Sequence, residues 1–298
     1  MQVDRALLND LGALRVSLPG LSLGPQLGDR RSPHRGRGME FADHRPYRPG
    51  DDLRLVDWNV YRRLRQVLVR LFHEDRNLHL GICLDCSASM GVGTPRKDAH
   101  AATLAASLAL IGLRERDTVT LSLAGGTGRI PRLRGHQARS FSRQLQALEQ
   151  TECGGAPDLA DAIRRMSDRG RIDRAILISD LFTEDDDAID AAIRALSVVA
   201  RRPAVLHVLA ADEVEPDLSE GIEAEDAETG EILAVGDRAG LGDAYQRALQ
   251  DYLRHVRTRC AAYRVQYVPA FTSIPLRTLV LDALRRGRVV ESARGAGR

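Results

Sequence analysis

Lysine is almost missing from this 298-residue chain: Lys97 is the only one among 43 basic residues, and arginine fills every other basic position. So uniform a preference reads as compositional bias, so arginine clusters are discounted as a sign of phosphate binding. A formal net charge of only +2 points the same way, since nucleic-acid-binding domains carry a strong basic excess. Cysteine is sparse. Cys83, Cys86, Cys153 and Cys260 are scattered without CxxC spacing, which argues against structural zinc or a disulfide framework and for buried free thiols in a reducing compartment. No apolar run approaches the roughly 18 residues of a membrane span, and the opening MQVDRALLNDLGALRV lacks the features of a signal peptide. The expectation is a soluble, cytoplasmic protein. GxxxxGK[ST] is absent, and neither Ser87 nor Ser89 sits in a GxSxG elbow, so a phosphate-cradling loop and a serine nucleophile are both set aside.

The chain does have enough apolar residues to fold: 43% hydrophobic against 28% charged, sufficient for one large α/β domain with appendages. Val3, Leu7, Leu11 and Leu14 recur at helical spacing and predict an amphipathic helix over 3–16. A Gly/Pro/Arg-rich arm follows from Pro19 to Gly38, with Arg30, Arg31, Arg35 and Arg37, and a strand is predicted over 66–72. From Leu78 onward, strands at 78–85, 117–125, 174–180, 203–210 and 263–269 alternate with helices at 97–116, 138–150, 156–169, 185–200 and 242–260. Such alternation implies βαβ crossovers, hence a doubly wound, mostly parallel sheet with helices on both faces. A ligand would then bind beyond the carboxyl ends of the strands, where strand order reverses. Between Asp212 and Glu231 stand ten acidic residues and no basic one, and Thr229-Gly230 marks a hairpin there.

One constellation carries chemistry. The first strand of the alternating part ends at Asp85, and Cys86-Ser87-Ala88-Ser89 follows, so one carboxylate and two hydroxyls enter a turn at the sheet's carboxyl edge. The strand RAILISD ends at Asp180, and neighbouring central strands would bring Asp85 and Asp180 together. All these donors are oxygens, which suits Mg²⁺ or Mn²⁺. With few anions bound directly, such an ion keeps positive charge and an open position for a partner's Asp or Glu.

Asp85-Cys86-Ser87-Ala88-Ser89 followed by a helix, with Asp180 ending a later strand, resembles the DxSxS metal-dependent adhesion motif of von Willebrand factor A domains. Upstream, GRGMEFADHRPYRPGDDLRLVDWNVYRR resembles the signature of the DUF58 family, in which a similar segment precedes a von Willebrand A-like domain. The resemblance implies an N-terminal part at 1–76, a von Willebrand A-like α/β domain at 77–290 with an acidic insertion at about 212–235, and a tail at 291–298. It further implies that Asp85, Ser87 and Ser89 hold Mg²⁺, that Asp180 binds through water, and that the protein is no enzyme but an adaptor for a MoxR-type AAA+ ATPase or its client. One position departs from the pattern. The family-type threonine normally follows a Gly-Gly pair, whereas Gly154-Gly155 here precede Ala156 and Pro157, which offer no side-chain oxygen. Either metal binding is weakened, or Asp158 or a water takes that place.

Other candidates read more simply. A phosphatase-type nucleophile at Asp85 wants a second carboxylate two residues on, where Ser87 stands. A metal-dependent, phosphoesterase-like hydrolase using the same carboxylates is the alternative function. His79, His100 and His207 read as structural, and the Gly-rich 124–128 as a turn. In the upstream signature Arg45, Arg48, Asp51, Asp52, Asp57 and Trp58 form either an ion-paired structural cover or a partner-docking surface.

Overall fold

The computed structural model describes residues 14–16, 40–73, 78–114, 116–126, 133–135, 138–156, 158–167, 171–183, 185–216, 223–225, 232–234, 241–280 and 290–292. The chain divides into two compact units, Pro19–Asn77 and Met1–Leu18 together with Leu78–Arg298.

Strand β1 (Leu14–Val16) opens the larger unit and pairs antiparallel with Val290–Ser292. The helix predicted over 3–16 is therefore overturned at its last three residues. Leu14-Arg15-Val16 alternates apolar and charged as well as it keeps helical spacing, and the pairing strand lies at the far end of the chain, where local periodicity cannot point. The rest of that predicted helix, and the arm from Pro19 to Gly38, lie outside the described residues.

In the smaller unit β2 (Glu40–Pro46) pairs antiparallel with β3 (Leu68–His73). Between them come a 3-10 turn at Leu53–Leu55 and helix α1 (Trp58–Leu64). Asp57 caps α1, its side chain accepting from Asn59 N and Val60 N, and Asp52 caps the turn by accepting from Arg54 N. Val56 and Val69 face each other across an isolated bridge, and both are buried.

The larger unit continues with β4 (His79–Cys86), α2 (Lys97–Arg114), β5 (Thr118–Gly125), β6 (Leu133–Gly135), α3 (Ala138–Gln150), α4 (Leu159–Arg165), β7 (Ile172–Ser179), α5 (Asp186–Val199) and β8 (Ala200–Leu209). After these come α6 (Ala211–Val214), β9 (Glu223–Glu225), β10 (Ile232–Ala234), α7 (Leu241–Ala262), β11 (Gln266–Phe271), α8 (Leu276–Thr278) and β12 (Val290–Ser292). The strands β9 and β10 pair antiparallel on either side of Thr229-Gly230, as the hairpin requires. Several boundaries differ from the sequence-based ones, among them the start of β8 at Ala200 and the end of α4 at Arg165. Helix α4 starts only at Leu159, because Asp158 caps it by accepting from Asp161 N. Strand β11 starts three residues late, because α7 runs on to Ala262 and unwinds through Arg264 at φ 56°.

Six strands form one sheet in the order β11-β8-β7-β4-β5-β6, parallel throughout except for β6 against β5. Period-two alternation serves two cores. Leu80, Ile82 and Leu84 of β4 join Ile176 and Ile178 of β7 in packing against α2 and α3. The intervening Cys83, with Ala175 and Leu177, packs against α4, α5 and α7. Both faces are thus covered, which is the doubly wound α/β architecture expected. Each large apolar side chain so buried contributes about 1.5–3 kcal/mol. Alanines in α2 allow close packing: Ala101, Ala102, Ala105, Ala106 and Ala109 are all fully buried.

After β4 the chain builds the sheet outward through β5 and β6, then returns to place β7 on the other side of β4. Strand order reverses between β4 and β7. In open sheets of this kind, ligands bind beyond the strands' carboxyl ends at such a reversal.

Candidate functional site

At this reversal point β4 delivers Asp85 and β7 delivers Ser179, with Asp180 next. The structure brings four sequence-predicted residues together there. Asp85 Oδ1 accepts from Ser87 N at 2.9 Å, and its Oδ2 accepts from Ser179 Oγ at 2.5 Å. Ser87 Oγ and Ser89 Oγ lie 3.0 Å apart, and Ser89 Oγ donates to Asp180 Oδ1 at 3.3 Å. All four side chains are buried.

Lys97, Glu213, Gly93, Tyr252 and Tyr267, none of them singled out in the sequence for this site, hold the arrangement together with His207. Lys97, at the start of α2, is fully buried and donates from Nζ to Asp180 Oδ2 at 2.7 Å and also to Glu213 Oε1. Glu213 in turn accepts from Ala210 N at 2.7 Å, closing the first turn of α6. Gly93, at φ +96°, allows that turn to close over the loop: a Cβ there would stand 2.4 Å from Ala210 Cβ. On the other side His207 shares 2.8 Å between Nε2 and the Asp180 carbonyl, and 2.9 Å between Nδ1 and the Tyr267 hydroxyl. A carbonyl only accepts, so Nε2 carries the proton and Nδ1 accepts from Tyr267. Tyr252 donates to the Leu181 carbonyl at 2.8 Å, across a turn in which Leu181 takes φ 55°. His207 is thus structural with respect to ligands, yet it fixes the backbone that presents Asp180.

Signals for some of these were present. Lys97 is the sole lysine in an arginine-only chain, and it survives where an ammonium sits between two carboxylates. Glu213 lay inside an acidic run whose other members face water in most proteins, so nothing local marked it.

Electrostatics follow from burial. Asp85 is pushed up to about 7 by burial first and by the Asp180 charge second, against the pull of its bonds from Ser179 and Ser87. Burial works against the Lys97 charge, but Asp180 and Glu213 outweigh it and the shift is upward. Burial raises Glu213 more than Lys97 lowers it. The Lys97 ammonium is shared by Asp180 and Glu213, and Asp85 is a third carboxyl in the cluster, bonded to Ser179 and the Ser87 amide instead. The surplus is negative and lies among oxygen donors, which is the chemistry a hard divalent cation satisfies. Among the described residues no group of three or more His, Cys, Asp or Glu side chains is placed to hold a metal ion.

The loop with the missing threonine is in place beside the site. Gly154 N donates to Cys86 O at 2.9 Å and Ala88 N donates to Gly155 O at 3.1 Å, so the run after α3 is laced to the Asp85–Ser89 turn. Ala156 lines a cavity of about 280 Å³ with Gly125, Ser122, Asp158, Asp161 and Arg165. Asp158 is exposed and its Oδ1 is engaged in capping α4, so the structure does not join it to Asp85 or Asp180.

In the smaller unit the signature residues are tied mainly to one another. Arg45 forks onto Asp51 at 2.8 and 2.6 Å, Arg48 N donates to Asp51 at 2.7 Å, Asp52 pairs with Arg54, and Asp57 meets His44 Nε2 at 3.0 Å. Trp58 is exposed and meets Tyr61 edge to face.

Residues 43–255 match the family described as "Protein of unknown function DUF58". The chain belongs to the DUF58 family. The uncharacterized protein Mb1516 of Mycobacterium bovis is 31% identical over 224 residues, which span 72% of this chain and 68% of that protein. Among solved structures, the conserved hypothetical protein BatB of Bacteroides thetaiotaomicron is similar at 18% identity and a TM-score of 0.41, over 71% of this chain and 98% of that one. The SpRpn10 VWA domain is similar at 12% identity and a TM-score of 0.41, over 69% and 94%. Among the described residues no helix is long and apolar enough to cross a membrane.

Proposed function

We propose that this DUF58 chain is a non-enzymatic, metal-dependent protein-interaction module that acts in the cytoplasm as an adaptor for a MoxR-type AAA+ ATPase in protein maturation or remodelling. One observation carries the metal part: Asp85, Ser87, Ser89 and Asp180 converge, buried, where the strand order reverses, and their carboxylates outnumber the single ammonium of Lys97. These four side chains would hold Mg²⁺ or Mn²⁺. A cation so bound supplies positive charge toward an incoming partner carboxylate.

The chain's own residues prepare this. Lys97 occupies Asp180 Oδ2 and leaves Oδ1 turned to Ser89; Ser179 and the Ser87 amide orient Asp85; His207 and Tyr252 fix the backbone after β7. Ala156, in place of a hydroxyl-bearing residue, leaves the ligand set one side chain short and so favours a weakly held ion.

The test is co-precipitation of this chain with a purified MoxR-type AAA+ ATPase, in Mg²⁺ and in EDTA, for wild type and Asp85→Ala. Association in Mg²⁺ that is lost with EDTA and with Asp85→Ala supports the adaptor. Metal-indifferent association, or none, overturns it. Turnover of p-nitrophenyl phosphate with Mg²⁺ or Mn²⁺ that is lost on Asp180→Asn would put the hydrolase in its place.

A further inference from the structure

Six large apolar side chains are exposed among the described residues, and four of them fall in one stretch of the smaller unit: Leu53, Trp58, Leu64 and Val67. They are not core residues left uncovered by chance, because the unit's inward positions are already filled by Val56 and Val69, with Val60 and Tyr61 half-buried. An exposed tryptophan among exposed leucines and arginines has the composition of a binding hot spot.

Charge states what would bind there. Arg54, Arg62, Arg63 and Arg65 are all exposed in the same stretch. The only acidic residue within 53–67 is Asp57, and it faces inward: Oδ1 accepts from Asn59 N and Val60 N, and Oδ2 meets His44. Asp52, just outside, is shared with Arg54. Arg65 lies 5.9 Å from the centre of the Tyr61 ring, and Arg62 and Arg63 close the last turn of α1. The stretch is therefore apolar and cationic, without an outward carboxylate of its own between 53 and 67.

We propose that residues 53–67 form a docking face for an acidic, amphipathic peptide segment of another protein, its apolar side chains meeting Trp58 and the leucines and its carboxylates meeting the arginines. A membrane surface fits less well. Interfacial helices present a long apolar stripe, whereas α1 has only seven residues. The face belongs to the smaller unit and involves no residue of the Asp85 site, so it extends the proposed function without depending on it.

Trp58 is the only tryptophan, so the full chain carries its own reporter. The probes are three synthetic peptides with Leu at helical i, i+3, i+4, i+7 spacing, the remaining positions being all Glu, all Gln or all Lys. Expected are an emission maximum of water-exposed indole in the free chain and a saturable blue shift with the Glu peptide, in EDTA as in Mg²⁺. Binding should be at least about tenfold weaker with the Gln peptide and absent with the Lys peptide. Arg62→Glu with Arg63→Glu should abolish the shift while the far-UV spectrum stays unchanged, and the milder Arg62→Gln with Arg63→Gln should weaken it. Emission already blue in the free chain would mean that the face is covered, by the rest of the chain or by a second copy, and overturns the proposal. So does no shift with the Glu peptide, an equal shift with the Lys peptide, or a shift produced only by anionic phosphatidylglycerol vesicles or by a single-stranded oligonucleotide.

Discussion

Lys97 and Asp180 form an enclosed ion pair: both side chains are wholly buried, and Nζ donates to Oδ2 at 2.7 Å. Glu213 shares the same ammonium and carries it to α6, so one side chain ties the turn after β7 to the turn after β8.

Removing that ammonium strands the buried carboxylate of Asp180 and the half-buried one of Glu213. Lys97→Met is expected to lose about 3–5 kcal/mol of unfolding free energy in urea, the cost of breaking a buried pair from one side. The double variant Lys97→Met with Glu213→Gln should be less destabilised than the sum of the single effects, a coupling of order 0.5–3 kcal/mol. Lys97→Arg should not rescue, since a planar guanidinium does not fit a site shaped to a point charge. Breaking the exposed Arg254–Asp251 pair by Arg254→Ala should leave the midpoint essentially unchanged.

Gly93 is the steric counterpart of that strap. Gly93→Ala combines φ +96° with a Cβ 2.4 Å from Ala210 Cβ, and is expected to lose about 1–3 kcal/mol or more. Gly155→Ala, at φ +69° with open space around it, should lose only the backbone cost of about 1–2 kcal/mol. Urea midpoints for the two variants decide it; equal losses would remove the role given to Ala210.

For Asp85 the sign of the pH dependence follows from its raised value. The folded chain favours the protonated carboxyl, so this contribution is full below the ordinary value near 3.8 and is lost as pH rises to about 7. In EDTA, wild type should therefore lose stability relative to Asp85→Asn between pH 4 and 7. A constant difference across that window would contradict the assignment.

His207 titrates in the opposite sense. Burial lowers it to about 4, so its contribution is present above the ordinary 6.5 and is lost as pH falls toward 4. His207→Gln should show a shallower acid limb, though not a flat one, because buried His100 is lowered to about 4 as well. Acid denaturation curves that superimpose for the two proteins would contradict this.

Particular residues show how far the sequence was legible. Period and length placed β4, β5, β7 and β8, and with them the convergence of Asp85 and Asp180, because buried strands and amphipathic helices announce themselves locally. Pairings between distant segments do not. Leu14–Val16 kept helical spacing and folded as a strand, and Glu213 looked like one more solvated acid until β8 carried it to Lys97. The signature residues Arg45, Asp51 and Asp57, which the sequence left as an ion-paired cover or a docking surface, are engaged with one another or with His44, while Leu53, Leu64 and Val67 carried no motif and are exposed.

Isothermal titration of Mg²⁺ into the wild-type chain and into Asp85→Asn, each at pH 7.5, tests the central claim most directly. The expected result is saturable binding to one site, weak in keeping with Ala156, and abolished in the variant. No binding to wild type, or equal binding to both proteins, would contradict it.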